Sequence, residues 1–190
     1  MILTRFHGAW YPWSAYVSDT VDAVPALTLV YAYLKDRRKA YVILGALAVA
    51  CAITLALKPL VSEPRPFVVG VVKPLIAADH PYWSFPSGHA TRAFALAASC
   101  TFERLGPWPL FWAWAVAIGV SRVTLGVHWP HDVLAGAAVG VVSAWYVHRT
   151  RRAWIRLFSA LDPVGPRLDR WARARRLKSR YPGRVVVTRR

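Results

Sequence analysis

Residues 40–57 read Ala40-Tyr41-Val42-Ile43-Leu44-Gly45-Ala46-Leu47-Ala48-Val49-Ala50-Cys51-Ala52-Ile53-Thr54-Leu55-Ala56-Leu57, 18 consecutive positions without a charge. As a helix the stretch rises about 27 Å, close to the thickness of a bilayer's hydrocarbon core. It predicts a membrane-spanning helix. Its flanks agree, with Lys35-Asp36-Arg37-Arg38-Lys39 as a short basic loop before it and Lys58 closing it.

Outward from this span the chain repeats the pattern. Toward the amino terminus, Tyr16 to Leu34 predicts a first span, irregular at its outer end because it contains Asp19, Asp22 and Pro25. Met1 to Val17 mixes Phe6, Trp10, Tyr11, Trp13 and Tyr16 with Arg5, His7 and Pro12. It lacks a clean apolar run and a small-residue cleavage site, so it predicts an interfacial helix rather than a signal peptide. Toward the carboxyl terminus, Ser87 to Phe102, Trp108 to Val127 and Asp132 to Val147 predict three more spans, and a proline-rich connection runs from Pro59 to Pro86. Long connections of this kind tend to carry function. The expected fold is an all-α integral membrane protein with about five transmembrane helices plus an interfacial amino-terminal helix.

Charge is unevenly placed along the 190 residues. Of a net +16, the segment Arg149 to Arg190 holds +12, with 14 of the 25 Lys and Arg and two of the nine acids, Asp162 and Asp169. The chain therefore divides into a membrane-embedded domain, 1–150, and a basic tail, 151–190. Cys51 and Cys100 each sit in an apolar run and indicate neither a disulfide framework nor a cysteine metal site. Basic loops stay on the cytoplasmic side, so Lys35 to Lys39, Arg104 and the Arg149 tail set the topology. Five spans then put the carboxyl terminus inside, and Lys58, Arg65, His89, Arg122, His128 and Asp132 outside.

Three segments converge on that outer face. The third is Ser121-Arg122-Val123-Thr124-Leu125-Gly126-Val127-His128-Trp129-Pro130-His131-Asp132. Proline suits the first position of a helix, so a helix is expected to start at Pro130, with Asp132 in its first turn reaching back to His128. A carboxylate on one imidazole nitrogen fixes the tautomer and leaves the other as nucleophile or base. The structural alternative is that Arg122 pairs with Asp132 and His128 only anchors a helix end. The first segment, Lys58 to Pro66, carries cations at Lys58 and Arg65, and could be no more than a snorkelling lysine and a surface arginine. The second, Ser84-Phe85-Pro86-Ser87-Gly88-His89, offers Ser87 as an N-cap and free amides around Gly88 and His89. Together they make a site for a tetrahedral dianion. Lys58, Arg65 and Arg122 balance the charge, Ser87 and the nearby amides of Gly88 bind oxygens, His128 attacks and His89 protonates the departing oxygen. No metal and no cofactor need be invoked.

The pattern Lys-x6-Arg-Pro, Pro-Ser-Gly-His, Ser-Arg-x5-His-x3-Asp, carried by Lys58, Arg65, Pro66, Pro86, Ser87, Gly88, His89, Ser121, Arg122, His128 and Asp132, resembles the type 2 phosphatidic acid phosphatase (PAP2) superfamily. That resemblance implies a helical bundle and metal-independent phosphomonoester or diphosphate hydrolysis. It also implies a phosphohistidine on His128, with Asp132 orienting it and His89 as general acid. The segment Glu63-Pro64-Arg65-Pro66-Phe67 and the small number of spans are similar to the short bacterial undecaprenyl-diphosphatase branch.

A site at headgroup level suits a lipid phosphate. A polyprenyl diphosphate is the first expectation and phosphatidate or phosphatidylglycerol phosphate the second, while a haloperoxidase is disfavoured because those relatives are larger and soluble. A non-catalytic protein that binds phospholipid headgroups is the competing class, but binding alone needs cations and not two placed imidazoles. In the tail, Trp154, Leu157, Phe158 and Leu161 are spaced for one helix face on a membrane. The tail's cations suit anionic headgroups. Nucleic acid is the weaker reading, because topology alone accounts for a basic cytoplasmic flank.

Overall fold

The apolar stretch lies inside a longer helix, α2 (Arg37–Val61), in the computed structural model, which describes residues 7–76, 80–167 and 170–171, with side chains from residue 12. The other helices are α1 (His7–Lys35), α3 (Gly88–Phe102), α4 (Trp108–Thr124), α5 (Pro130–Arg149) and α6 (Arg151–Leu161). Local signals set most of their ends. Asp36 caps α2 by accepting from the Arg38 amide at 3.0 Å, and Ser87 caps α3. Pro130 begins α5 as expected.

Three expectations change. His7 to Lys35 forms one helix, without a break at Val17 or Pro25, so no separate interfacial helix precedes the first span among the described residues. Tertiary bonds hold this stretch: Ser14 meets Thr124 at 2.8 Å, Thr20 accepts from Trp114 at 2.8 Å, and Asp22 pairs with Arg92. At the far end of α2, Lys58 does not close the helix, which continues through Pro59 to Val61 before Ser62 turns left-handed at φ 46°. Finally, α4 ends at Thr124, before Val127, because Gly126 bends the chain outward at φ +72°. A Cβ there would also lie 2.9 Å from Val72 Cγ2, so the turn that presents His128 requires glycine.

α3 is the centre of the bundle. It is packed by α2, α4 and α5, while α1 lies mainly along α4 and α2. Its buried positions are mostly small, including Ala90, Ala93, Ala95, Ala97 and Ala98, which lets neighbours come close. α5 comes nearest. Cβ atoms on Gly136 and Gly140 would stand 2.6 Å from the Ser87 carbonyl oxygen and 2.5 Å from that of Thr91. Large apolar side chains face outward instead, among them Leu27, Leu34, Leu55, Leu110, Val120, Leu134 and Val142. That inversion fits a protein whose outer surface meets lipid. By length and composition, α2 is the one helix among the described residues able to cross a membrane. α3 and α4, at 15 and 17 residues, are shorter than the expected spans.

The end of the bundle bearing Lys35, Arg104 and Arg149 is tied by carboxylates. Glu103, buried, accepts from His148 at 2.8 Å and Arg151 at 3.0 Å. Asp162 accepts from the hydroxyls of Tyr41 at 2.5 Å and Tyr33 at 2.7 Å, which hold its carboxyl well below the usual carboxylate range. The apolar face of α6 is only partly free. Trp154 packs on Gly45 and Phe158 stacks on Tyr41, while Leu157 and Leu161 stay exposed. Most of the basic tail beyond this point lies outside the described residues.

The α3–α5 contact is testable. Gly140→Leu should lower the melting temperature of the detergent-solubilised protein, an overpacking loss of about 1–3 kcal/mol or more, while Val142→Leu on the exposed face should leave it unchanged.

Candidate active site

At the end of the bundle opposite those carboxylates, a cavity of about 460 Å³ opens between α1, α2, α3 and the loops. Lys58, Arg65, Gly88, His89, Arg122 and His128 all line it. Each arrives by a different route. Lys58 comes from the last turn of α2, His89 from the first turn of α3, Arg122 from the end of α4, and His128 from the turn before α5. Two loop strands carry Arg65: its amide donates to the Pro81 carbonyl at 2.9 Å, and the Ser84 amide donates to the Glu63 carbonyl at 3.1 Å.

His128 is buried, with Nδ1 3.3 Å from Asp132 Oδ2 and Nε2 3.2 Å from Arg65 Nη1. A guanidinium has only donors, so Nε2 must accept and the ring proton sits on Nδ1, facing the carboxylate. Burial pushes the imidazole down to about 4, with Arg65 and Arg122 acting in the same direction and the Asp132 hydrogen bond opposing them. At neutral pH the ring is uncharged, and its free electron pair is on Nε2. That is the form a nucleophile needs.

Asp132 is fully buried behind the ring. Its Oδ2 also accepts from the Trp129 amide at 2.8 Å and the Ser84 hydroxyl at 2.5 Å. The alternative in which Arg122 serves Asp132 is not what forms. Arg122 Nη1 instead donates to Ser18 of α1 at 2.5 Å. Arg65 is oriented by carbonyls, donating to His80 at 2.8 Å and Val127 at 2.7 Å, and Lys58 donates to the Trp83 carbonyl at 2.8 Å. A carbonyl aims a cation without cancelling its charge.

Ser87, expected both to cap a helix and to bind phosphate oxygens, takes the capping position. Its hydroxyl is buried and accepts from the Ala90 amide as the cap of α3, and it is not among the residues lining the cavity. Its neighbours Gly88 and His89 take the lining positions. Sequence reasoning also missed Ser18, Ser84 and the Arg92–Asp22 pair. Arg92 carried the one available signal, a cation inside an apolar span. Among the described residues, Glu63, His131 and Asp132 bring ligand atoms within 4.8 Å of one another, a geometry able to hold a metal ion. The 2.7 Å bond between His131 Nε2 and Glu63 Oε1 already satisfies two of them.

Residues 38–156 match the PAP2 superfamily. YbjG of Escherichia coli, provisionally named an undecaprenyl-diphosphatase, is 37% identical over 131 residues, 65% of this chain and 64% of that protein. The undecaprenyl-diphosphatase BcrC of Bacillus subtilis is 40% identical over 91 residues, 46% of this chain and 45% of the relative. The chain thus spans under two thirds of the length of these curated relatives. Among solved structures, LpxE of Aquifex aeolicus aligns with a TM-score of 0.69 at 22% identity, covering 78% of this chain and 91% of that one. The first transmembrane PAP2-type phosphatidylglycerolphosphate phosphatase from Bacillus subtilis aligns at 0.67 and 19%, covering 80% and 82%. These two likenesses are of fold. With the family match running through all three segments that build the cavity, the chain belongs to the PAP2 superfamily, and its homologues include membrane phosphatases named for undecaprenyl diphosphate and lipid A.

Proposed function

We propose that the protein is a membrane lipid phosphatase that hydrolyses a polyprenyl diphosphate at the outer membrane face through a phosphohistidine on His128. One observation carries the reading: two imidazoles and three cations, His89, His128, Lys58, Arg65 and Arg122, line a single cavity. In the first step the Nε2 electron pair forms a bond to phosphorus as the bond from phosphorus to the leaving oxygen breaks, and His89 gives that oxygen its proton. Water then attacks phosphorus, His89 takes the water proton, and the bond from nitrogen to phosphorus breaks to release phosphate. Because Arg65 Nη1 sits against Nε2, its hydrogens must pass to the phosphate oxygens as substrate enters. That exchange uncovers the nucleophile and places the cation where charge develops.

The outward orientation rests on charge. Lys35, Arg37, Arg38, Lys39, Arg104, Arg149, Arg151 and Arg152 all lie at the end of the bundle away from the cavity, and such residues stay cytoplasmic. The tail's remaining cations suit anionic headgroups on that side.

Purified protein in detergent should release phosphate from a polyprenyl diphosphate without added divalent metal. His128→Ala should reduce the rate by roughly 10³-fold or more. Headgroup binding that survives in His89→Ala and His128→Ala, with no phosphate released by the parent protein, would make it a binding protein instead. Orientation is read separately. In a Cys51→Ser background, a cysteine at Ser62 should react with an impermeant thiol reagent added outside intact cells, and reaction only after permeabilisation would reverse the topology.

The depressed His128 titration predicts a pH dependence. Protonation removes the nucleophile, so the part of kcat/KM that depends on this ring falls as pH drops through about 4, not through 6.5. Arg122→Gln removes a nearby positive charge and should move that acid limb to higher pH, while lowering the rate roughly 10²- to 10³-fold. Asp132→Asn should move it lower. Limbs that coincide in all three proteins would assign the titration to another group.

A further inference from the structure

Beyond the reacting phosphate, the cavity contains a cation that the mechanism above does not use. Arg92 lines its wall one helical turn below His89 on the same face of α3, about 5 Å deeper into the bundle. Its Nη1 pairs with Asp22 of α1, and the two side chains are 30% and 76% exposed. A structural bridge would be better enclosed, and α1 is tied to the bundle at other points as well. Ser14, Ser18 and Thr20 already bond it to Thr124, Arg122 and Trp114 of α4.

An arginine in an apolar span is costly unless it has work or a partner. Asp22 supplies the partner. A phosphate carries more charge than a single carboxylate and offers several acceptor oxygens, so it can compete with Asp22 for the guanidinium. We infer that Arg92 binds the second, non-reacting phosphate of a lipid diphosphate, displacing Asp22, and so sets preference for diphosphates over monophosphates. The inference rests on the phosphatase reading and gives the substrate a direction. The terminal phosphate sits with His89 and His128, and the inner phosphate lies one turn deeper at Arg92. The hydrocarbon chain continues between α1 and α2 past Cys51 and Leu55, which line the same cavity. Such an arrangement keeps each charge near the headgroup level and the chain within the bilayer.

The experiment compares the same prenyl chain as monophosphate and as diphosphate, reading kcat/KM for phosphate release in detergent. Arg92→Gln should lower the diphosphate-to-monophosphate ratio about 10-fold or more, the loss expected for a charged hydrogen bond, and Arg92→Lys should recover part of it. Asp22→Asn should lower KM for the diphosphate, because the competing carboxylate is gone. An unchanged ratio in Arg92→Gln overturns the inference. So does equal loss on both substrates, or an Asp22→Asn phenotype that copies Arg92→Gln, the pattern of a purely structural bridge. If Arg92→Gln does not fold, the Arg92→Lys and Asp22→Asn ratios decide. Wild-type protein that releases no phosphate from either lipid would remove the phosphatase reading itself, whereas normal wild-type turnover with an insensitive ratio removes only the role of Arg92.

Discussion

One carboxylate oxygen joins the parts of the site. Asp132 Oδ2 takes hydrogen bonds from the Ser84 hydroxyl, the Trp129 amide and His128 Nδ1, three donors from the loop before α3, the start of α5 and the turn between α4 and α5. Fully buried, it has no water to fall back on, so a missing donor costs about 1–3 kcal/mol, more when the acceptor is charged. The same bonds that stabilise the charge therefore fix the imidazole. Its orientation and tautomer follow from this oxygen on one side and Arg65 on the other, while its neutral state follows from burial and the nearby guanidinium groups, against the pull of Asp132.

The two ends of the bundle treat charge differently. Away from the cavity, Glu103 and Asp162 meet His148, Arg151 and Arg37 directly, which closes α5, α6 and the α1–α2 hairpin against one another. Around the cavity, backbone carbonyls of His80, Trp83 and Val127 and the hydroxyl of Ser18 aim the cations. A dipole can orient a guanidinium at little cost to the field it projects. Carboxylates tie the helices at one end, and at the other a group of cations lines the cavity.

Much of this was legible in the sequence because chemistry permits few substitutes. Lys58, Arg65, His89, Arg122 and His128 line the cavity and Asp132 backs it, and charged and imidazole side chains in otherwise apolar surroundings stand out by residue type even across long gaps. The capping of α3 by Ser87 and the start of α5 at Pro130 are local rules and could also be read. What could not be read depends on distant partners. Ser84 and Ser18 are ordinary serines until folding places them beside Asp132 and Arg122. α1 looked irregular because Asp19, Asp22 and Pro25 disfavour an apolar helix locally, yet its bonds to Trp114, Thr124 and Arg92 outweigh that preference. The end of α4 was placed too late for the opposite reason: Leu125 and Val127 continue the apolar run, and the positive φ of Gly126 stops the helix.

The separation between the two halves of the site is set by a residue without a side chain. Gly136 faces the Ser87 carbonyl so closely that a Cβ would come within 2.6 Å of it, and the Ser87 amide donates to the Asp132 carbonyl at 3.0 Å. The first turn of α5, which holds Asp132, is thereby locked to the cap of α3, two residues before His89. An added methyl group at Gly136 would have to push α5 away from α3, and the Asp132 backbone with it. His128, bonded to that carboxylate, would shift relative to His89. Displacements of about 1 Å at a reacting centre can cost about 100-fold in rate. The close helix contact that stabilises the bundle is therefore also what fixes the position of His128 relative to His89.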